Sequence, residues 1–177
     1  MFFPRKGNRG CPLRRTRYYS LDKGGFMPER ETIERARDDA REGKSPSTQA
    51  GEFVREEMHH IREGKHGAAS TKQAIAIGLS KARRSGVKLS PPRAGKTSAS
   101  TRQKAESDYR KGQSHSRRRP SATRSRATSN ALKKKGRSAA SSASLSKQAR
   151  TAARNRGSSL RRSAARKASR TRKHARA

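Results

Sequence analysis

Apolar positions are sparse in this chain, and where they occur they recur at helical spacing. Ala50, Phe53, Val54, Met58 and Ile61 fall on one face at intervals of three and four. This predicts a helix that begins after Ser45, takes Pro46 at its first position and runs to Glu63, with Gly64 as its stop. A second stripe of Ala74, Ile75, Gly78, Leu79 and Ala82 predicts the next helix. Its start is marked by Ser70-Thr71-Lys72-Gln73, the pattern in which a serine hydroxyl and a glutamine amide satisfy free backbone groups reciprocally. Gly78 lies on the stripe and lets another helix approach closely. Gly86 ends the helix, Val87 folds back onto its last turn, and Pro91-Pro92 forbids continuation. Upstream, the thinner stripe of Ile33, Ala36 and Ala40 predicts a charged helix from about Pro28 to Glu42. The Glu31/Arg35 pair supports it, and Arg37 and Arg41 suit its C-terminal dipole.

Downstream the same pattern continues with fewer apolar residues. Tyr109-Arg110-Lys111-Gly112 closes one short helix. Pro120-Ser121 opens a segment that Lys134-Lys135-Gly136 closes. Leu145, Ala149, Ala152 and Ala153 share the face of a further segment that ends at Asn155-Arg156-Gly157. Leu160, Ala164 and Ala168 align on a last one. Glycines thus stand at 43, 64, 86, 112, 136 and 157, in steps of 21, 22, 26, 24 and 21 residues. Two readings fit this spacing: a one-helix quasi-repeat, or helices of ordinary length that each need a C-terminal glycine.

Charge divides the chain more sharply than hydropathy does. Of 177 residues, 47 are Lys or Arg and 13 are Asp or Glu, a formal net charge of +34. Residues 109–177 carry 23 of the cations and no Asp or Glu, Asp108 being the last. Leu, Ile, Val and Phe together number only 17, too few for the whole length to bury a core that offsets its ordering entropy. The expected architecture is therefore mainly α, without a sheet. A short helical hairpin module is followed by a Lys/Arg/Ser/Ala-rich tail that is largely disordered or becomes helical on binding. The boundaries expected are a charged helix at 27–44, the hairpin at 45–90, a linker with a short helix at 91–112 and the basic tail at 113–177. Residues 1–26 differ in composition and carry Phe2, Phe3, Tyr18 and Tyr19. Lys23-Gly24-Gly25 is encodable by a purine-rich AAAGGAGG tract of the kind bacterial ribosomes bind. Met27 is therefore expected as the native start, and 1–26 as a non-native or disordered extension.

Chemistry narrows the function classes. One cysteine, Cys11, permits no internal disulfide and no cysteine zinc site. No nucleophile elbow, phosphate loop, paired-carboxylate or zinc-protease pattern is present; neither an enzyme nor a cofactor is expected. The longest apolar run, Ala74 to Leu79, is far too short to span a bilayer. His59, His60 and His66 invite a metal reading. However, adjacent His59 and His60 diverge on a helix, His66 lies past the glycine, and no i, i+4 histidine pair exists; no metal site is expected. Arg118-Arg119-Pro120 and Ser90-Pro91-Pro92-Arg93 are weak basic motifs that read as linker. A helix-turn-helix reader is disfavoured, because Gly64 to Ala69 exceeds a tight turn and no third supporting helix is evident.

Electrostatics is what remains. Duplex DNA carries one charge per roughly 1.7 Å, so the tail cations match about 40 Å of duplex. Arginine suits forked phosphate contacts, and nothing in the tail offers a fixed reader of base edges. The residues expected to contact nucleic acid are Lys72, Lys81, Arg83, Arg84 and Lys88 on or after the second hairpin helix. In the tail they are Arg117, Arg118, Arg119, Arg124, Arg126, Lys133, Lys134, Lys135, Arg137, Lys147, Arg150, Arg154, Arg156, Arg161, Arg162, Arg166, Lys167, Arg170, Arg172 and Lys173.

The stretch from Gly51 to Gly67, followed by Ser70 to Arg84 with its Lys72-Gln73-Ala74-Ile75-Ala76-Ile77-Gly78-Leu79-Ser80 run, resembles a small bacterial and phage domain of unknown function. The likeness extends to a subgroup that starts near Met27 and ends in a basic tail, and whose members are labelled DNA-binding. The tail itself resembles that of linker histones, without their winged-helix domain. The resemblance implies a DNA-binding role and supplies no catalytic residues. Together these readings lead to a sequence-nonspecific, histone-like DNA binder of the cytoplasmic nucleoid, acting through phosphate contacts. An RNA- or ribosome-associated protein and a protein-interaction scaffold with a polyanion anchor are the alternatives. The thin hairpin core leads to an expectation of homodimerisation through the hairpin or of stabilisation by a partner. No membrane partner is expected.

Overall fold

The structure is a computed structural model that describes residues 27–114 and 121–174; the expected extension at 1–26 lies outside the described residues. The described residues are mainly helical, with no strand among them. They form seven α-helices: α1 (Arg30–Arg41), α2 (Pro46–Glu63), α3 (Thr71–Arg84), α4 (Ala99–Gln113), α5 (Ala122–Lys133), α6 (Ser142–Asn155) and α7 (Gly157–His174). A 3-10 turn, Ser138–Ala140, precedes α6.

Local chemistry sets these boundaries. Ser45, Ser70, Ser98 and Ser141 each stand at an N-cap and accept from the backbone N–H three residues on. A serine cap is worth about 1 kcal/mol over alanine. At Ser70 the reciprocal arm differs from expectation: Gln73 Oε1 accepts from Ala69 N at 2.8 Å, one residue upstream of the cap. The α2 helix closes on Gly64 at φ 80°, a left-handed turn that a side chain would strain. Val87 N donates to Ala82 O at 3.1 Å and its side chain is buried against that last turn, as expected. The glycine series does not hold throughout. Gly43, Gly64, Gly86 and Gly157 have positive φ, whereas Gly112 and Gly136 do not. Gly112 lies inside α4, where any side chain would collide with the Arg83 carbonyl. Its role there is close helix approach, not capping.

The α2–α3 hairpin is the centre of the molecule, with α1 against α2 and α4 against α3. At their crossing a β-carbon on Gly78 would stand 2.8 Å from Val54 Cα, so glycine there lets the two backbones approach. Two buried clusters result. One joins Ala36, Ala50, Phe53, Ala82 and Val87. The other joins Met58, Ile61, Ala68 and Ala74 to Ala139 and Ala140, with Leu145 packed on it.

The second cluster revises the expected division into module and tail. Residues beyond 113 are part of the core, not only an arm. Thr71 Oγ1 donates to the Ala139 carbonyl at 2.7 Å, and Arg62 Nε donates to the Ala140 carbonyl at 3.0 Å. Gly67 N donates to Leu132 O at 3.0 Å, and a β-carbon on Gly67 would overlap the Lys135 carbonyl. The physical reason is that alanine in the tail needs no large partner. A few methyl groups and two backbone carbonyls fill the gap beside Met58, Ile61 and Ala74. Cover for one face of the thin hairpin thus comes from the same chain. By contrast, among the described residues α7 packs on no helix except α6, and Leu160 is exposed.

Two truncations separate these parts. Ending the chain at Ser114 removes Ala139, Ala140 and Leu145 from the core and is expected to cost on the order of 3–5 kcal/mol. Ending it at Arg156 is expected to leave stability within about 0.5 kcal/mol. Urea denaturation of both fragments checks this; equal stabilities would mean that residues 132–145 carry no core function.

Candidate nucleic-acid interface

The cations of the C-terminal half are held on helices by the same serine caps and alanine-rich composition that shape the fold. Alanine, arginine and lysine all favour helix, and α6 is anchored through Leu145. The helix-forming segments expected in the tail are thus α5, α6 and α7.

On α6, Lys147, Arg150 and Arg154 project from one face, spaced three and four residues apart. With Ala143, Ser146 and Thr151 between them they line an open groove of about 450 Å³. Small side chains between long cations let a polyanion backbone come close to the helix. The opposite face carries Leu145, half-buried on the core, with Ala152 and Ala153 partly covered and Ala149 exposed. Further along, Arg156, Arg161, Arg162, Arg166, Lys167, Arg170 and Arg172 are all exposed. Upstream, Arg124 and Arg126 of α5 and the turn bearing Lys133, Lys134, Lys135 and Arg137 are exposed as well. The chain holds no Asp or Glu after Asp108, so acidic side chains nearby in sequence do not neutralise this surface. Arg117, Arg118 and Arg119 lie outside the described residues, as does the side chain of Lys173.

The hairpin cations divide. Lys72, Arg84 and Lys88 are exposed. Lys81 and Arg83 are not: they are 6% and 8% exposed. The Lys81 ammonium stands 2.8 Å from Glu57 Oε2 and 3.3 Å from Glu56 Oε1. Arg83 Nε donates to the Leu89 carbonyl at 3.2 Å. Burial lowers the Arg83 pKa, and the attraction of Asp108 opposes that shift. Both side chains act inside the fold, where counting basic residues on a helix had placed them at the surface. The acids explain the difference. Glu56 and Glu57 lie on the inward side of α2, fully or nearly buried, and the α3 stripe brings Lys81 to face them.

Nucleic-acid-facing residues aside, the hairpin encloses a polar cluster that sequence reasoning set aside. Glu57, His60 and His66 are buried together, with one donor atom from each within 4.8 Å of the others. The signal available in the sequence was Glu57 three residues before His60 on one helix face, with His66 brought back by the left-handed turn at Gly64. His59, by contrast, is exposed and paired with Glu63 at 2.9 Å.

The described residues and the composition together define a mainly helical, strongly cationic protein. Residues 42–94 match the model of a family of unknown function, DUF6496. The match spans the hairpin and its flanks, a shorter stretch than the resemblance from Met27 through the tail had implied. No curated protein and no solved structure matches the chain. Among the described residues, no helix is long and apolar enough to cross a membrane.

Proposed function

We propose that this chain is a sequence-nonspecific binder of double-stranded DNA, histone-like and associated with the nucleoid, which grips phosphates with the exposed cations of α5, α6 and α7. The observation that carries the reading is the α6 groove, where Lys147, Arg150 and Arg154 converge around small side chains with no acid among them. Phosphate contacts of this kind position a protein without reading sequence. The hairpin and its cover hold α6 rigidly, while α7 extends from it as an arm of 18 residues, about 27 Å long at 1.5 Å per residue. Such an arm reaches along most of one duplex turn.

The test is fluorescence anisotropy with two duplexes of unrelated sequence and equal length, alongside a structured RNA of similar charge. Dissociation constants for the two duplexes are expected to agree within about 3-fold, since mismatch penalties of about 1–3 kcal/mol arise only from base contacts. A ten-fold preference for one duplex would overturn the nonspecific reading. A ten-fold preference for the RNA would favour the ribosome-associated alternative.

A further inference from the structure

We propose that Glu57, His60 and His66 form a binding site for one zinc-class divalent transition-metal ion, which would tie α2 to the loop leading into α3. All three side chains are buried, at 0%, 2% and 8% exposure. Glu57 Oε1 and His66 Nε2 lie 3.4 Å apart. That separation is about the edge of a tetrahedron whose metal–ligand bonds are about 2.0–2.1 Å. The two imidazoles meet edge-on at 83°, with centroids 6.1 Å apart, so the rings do not stack, and each offers a nitrogen within 4.8 Å of the other and of a Glu57 oxygen.

Hydrogen bonding fixes which nitrogens carry lone pairs. His60 Nε2 lies 2.8 Å from Glu29 Oε1. A carboxylate only accepts, so Nε2 bears the proton and Nδ1 of the neutral ring holds the lone pair. That Nδ1 is buried and without a hydrogen-bond partner. His66 Nδ1 lies 3.3 Å from the Gly67 carbonyl, which likewise only accepts, so the lone pair of the neutral ring sits on Nε2, beside Glu57. Both carboxylate oxygens of Glu57 are also buried without a hydrogen-bond partner. Lys81 Nζ is 2.8 Å from Oε2, an ion pair whose direction does not make a hydrogen bond, and it leaves Oε1 to the histidines. Glu57 Oε1 and His66 Nε2 therefore face each other with no donor between them, and the unpartnered His60 Nδ1 is buried in the same cluster. Buried groups left this way are costly, and a cation among them removes the cost.

The outer contacts match this role. Metal-ligating histidines characteristically pass their second N–H to a carboxylate or a backbone carbonyl, which orients the ring. Glu29 and Gly67 provide one of each. Charge also favours a cation: Glu29 is paired with Lys65, whereas the buried Glu56 and Glu57 share the single ammonium of Lys81. Glu56 Oε1 is 3.9 Å from His60 Nδ1 and is engaged by Lys81, so a water completes the coordination. Two imidazoles and one carboxylate suit zinc or cobalt and not magnesium, which demands an oxygen shell.

The experiment uses the full chain, freed of nucleic acid and treated with a chelator. Cobalt(II) is titrated and its visible ligand-field bands followed; zinc is then added in competition. The expected result is saturation at one equivalent with the intense bands of four-coordinate cobalt, abolished by zinc and unaffected by magnesium. Saturating zinc is expected to raise Tm by about 5–10 °C at roughly 100-fold excess over Kd. His66→Gln is expected to lose the bands, while His59→Gln, altered at the exposed neighbour, keeps them. Far-UV circular dichroism establishes that each variant is folded; should His66→Gln not fold, the wild-type titration decides. Absent saturation, pale six-coordinate spectra, or equal loss in His59→Gln would each overturn the site.

Discussion

Affinity for duplex DNA is expected to fall about 10³- to 10⁵-fold between 50 and 200 mM salt if roughly six to ten phosphates are engaged. The number of phosphates comes from the structure: α6 and α7, with the residue between them, expose Lys147, Arg150, Arg154, Arg156, Arg161, Arg162, Arg166, Lys167, Arg170 and Arg172. Each cation seated on a phosphate releases condensed counterions, so the log–log slope is expected near −0.9 per phosphate. Replacing Lys147, Arg150 and Arg154 together by glutamine should make the slope shallower by about 2.7. All three side chains are exposed, and the substitution should leave Tm unchanged. Ending the chain at Arg156 should make the slope shallower again, in proportion to the number of α7 cations that sit on phosphates. Isotherms at four salt concentrations measure these slopes. A wild-type slope shallower than about −3, meaning about three phosphates or fewer, would remove the helical cations from the interface.

The chain's periodicity carried much of the fold. Pro46, Ser45 and Gly64 bound α2 because each is chemically committed to one position: a fixed φ, a cap oxygen and a left-handed turn. Ser70 and Val87 did the same for α3. What the pattern hid was long-range. Ala139 and Ala140 look like filler in a basic tail, since alanine is neither strongly apolar nor strongly patterned. Their burial depends on where the Met58 and Ile61 face of α2 leaves a gap. Likewise, the burial of Glu56 and Glu57 depends on Lys81 standing opposite. No local rule links residues 25 positions apart. The run of cations was clearer than the core, because an acid-free stretch needs no tertiary structure to be recognised. Only the sorting of those cations into exposed and buried members depends on how the helices pack.

Lys81→Met should destabilise the protein by about 3–5 kcal/mol, the usual cost of leaving a buried charge without its partner. Total stabilities of about 5–15 kcal/mol make that a large share. Methionine preserves the length and apolar body of the side chain, so altered packing contributes little. What remains is Glu57, fully buried, beside a nearly buried Glu56, with the ammonium that stood 2.8 and 3.3 Å away removed. Adding Glu57→Gln should recover part of the loss, because a neutral amide no longer demands a counter-charge, and the double-variant cycle measures that coupling. Urea unfolding of chelator-treated protein keeps this measurement independent of any metal at His60 and His66. The same variant, studied while folded, separates structural from DNA-binding roles for Lys81. Its salt slope on duplex DNA should equal that of the wild type, since an ammonium enclosed by two carboxylates releases no counterion from a phosphate. A variant of unchanged stability whose slope becomes shallower by about 0.9 would instead return Lys81 to the nucleic-acid surface.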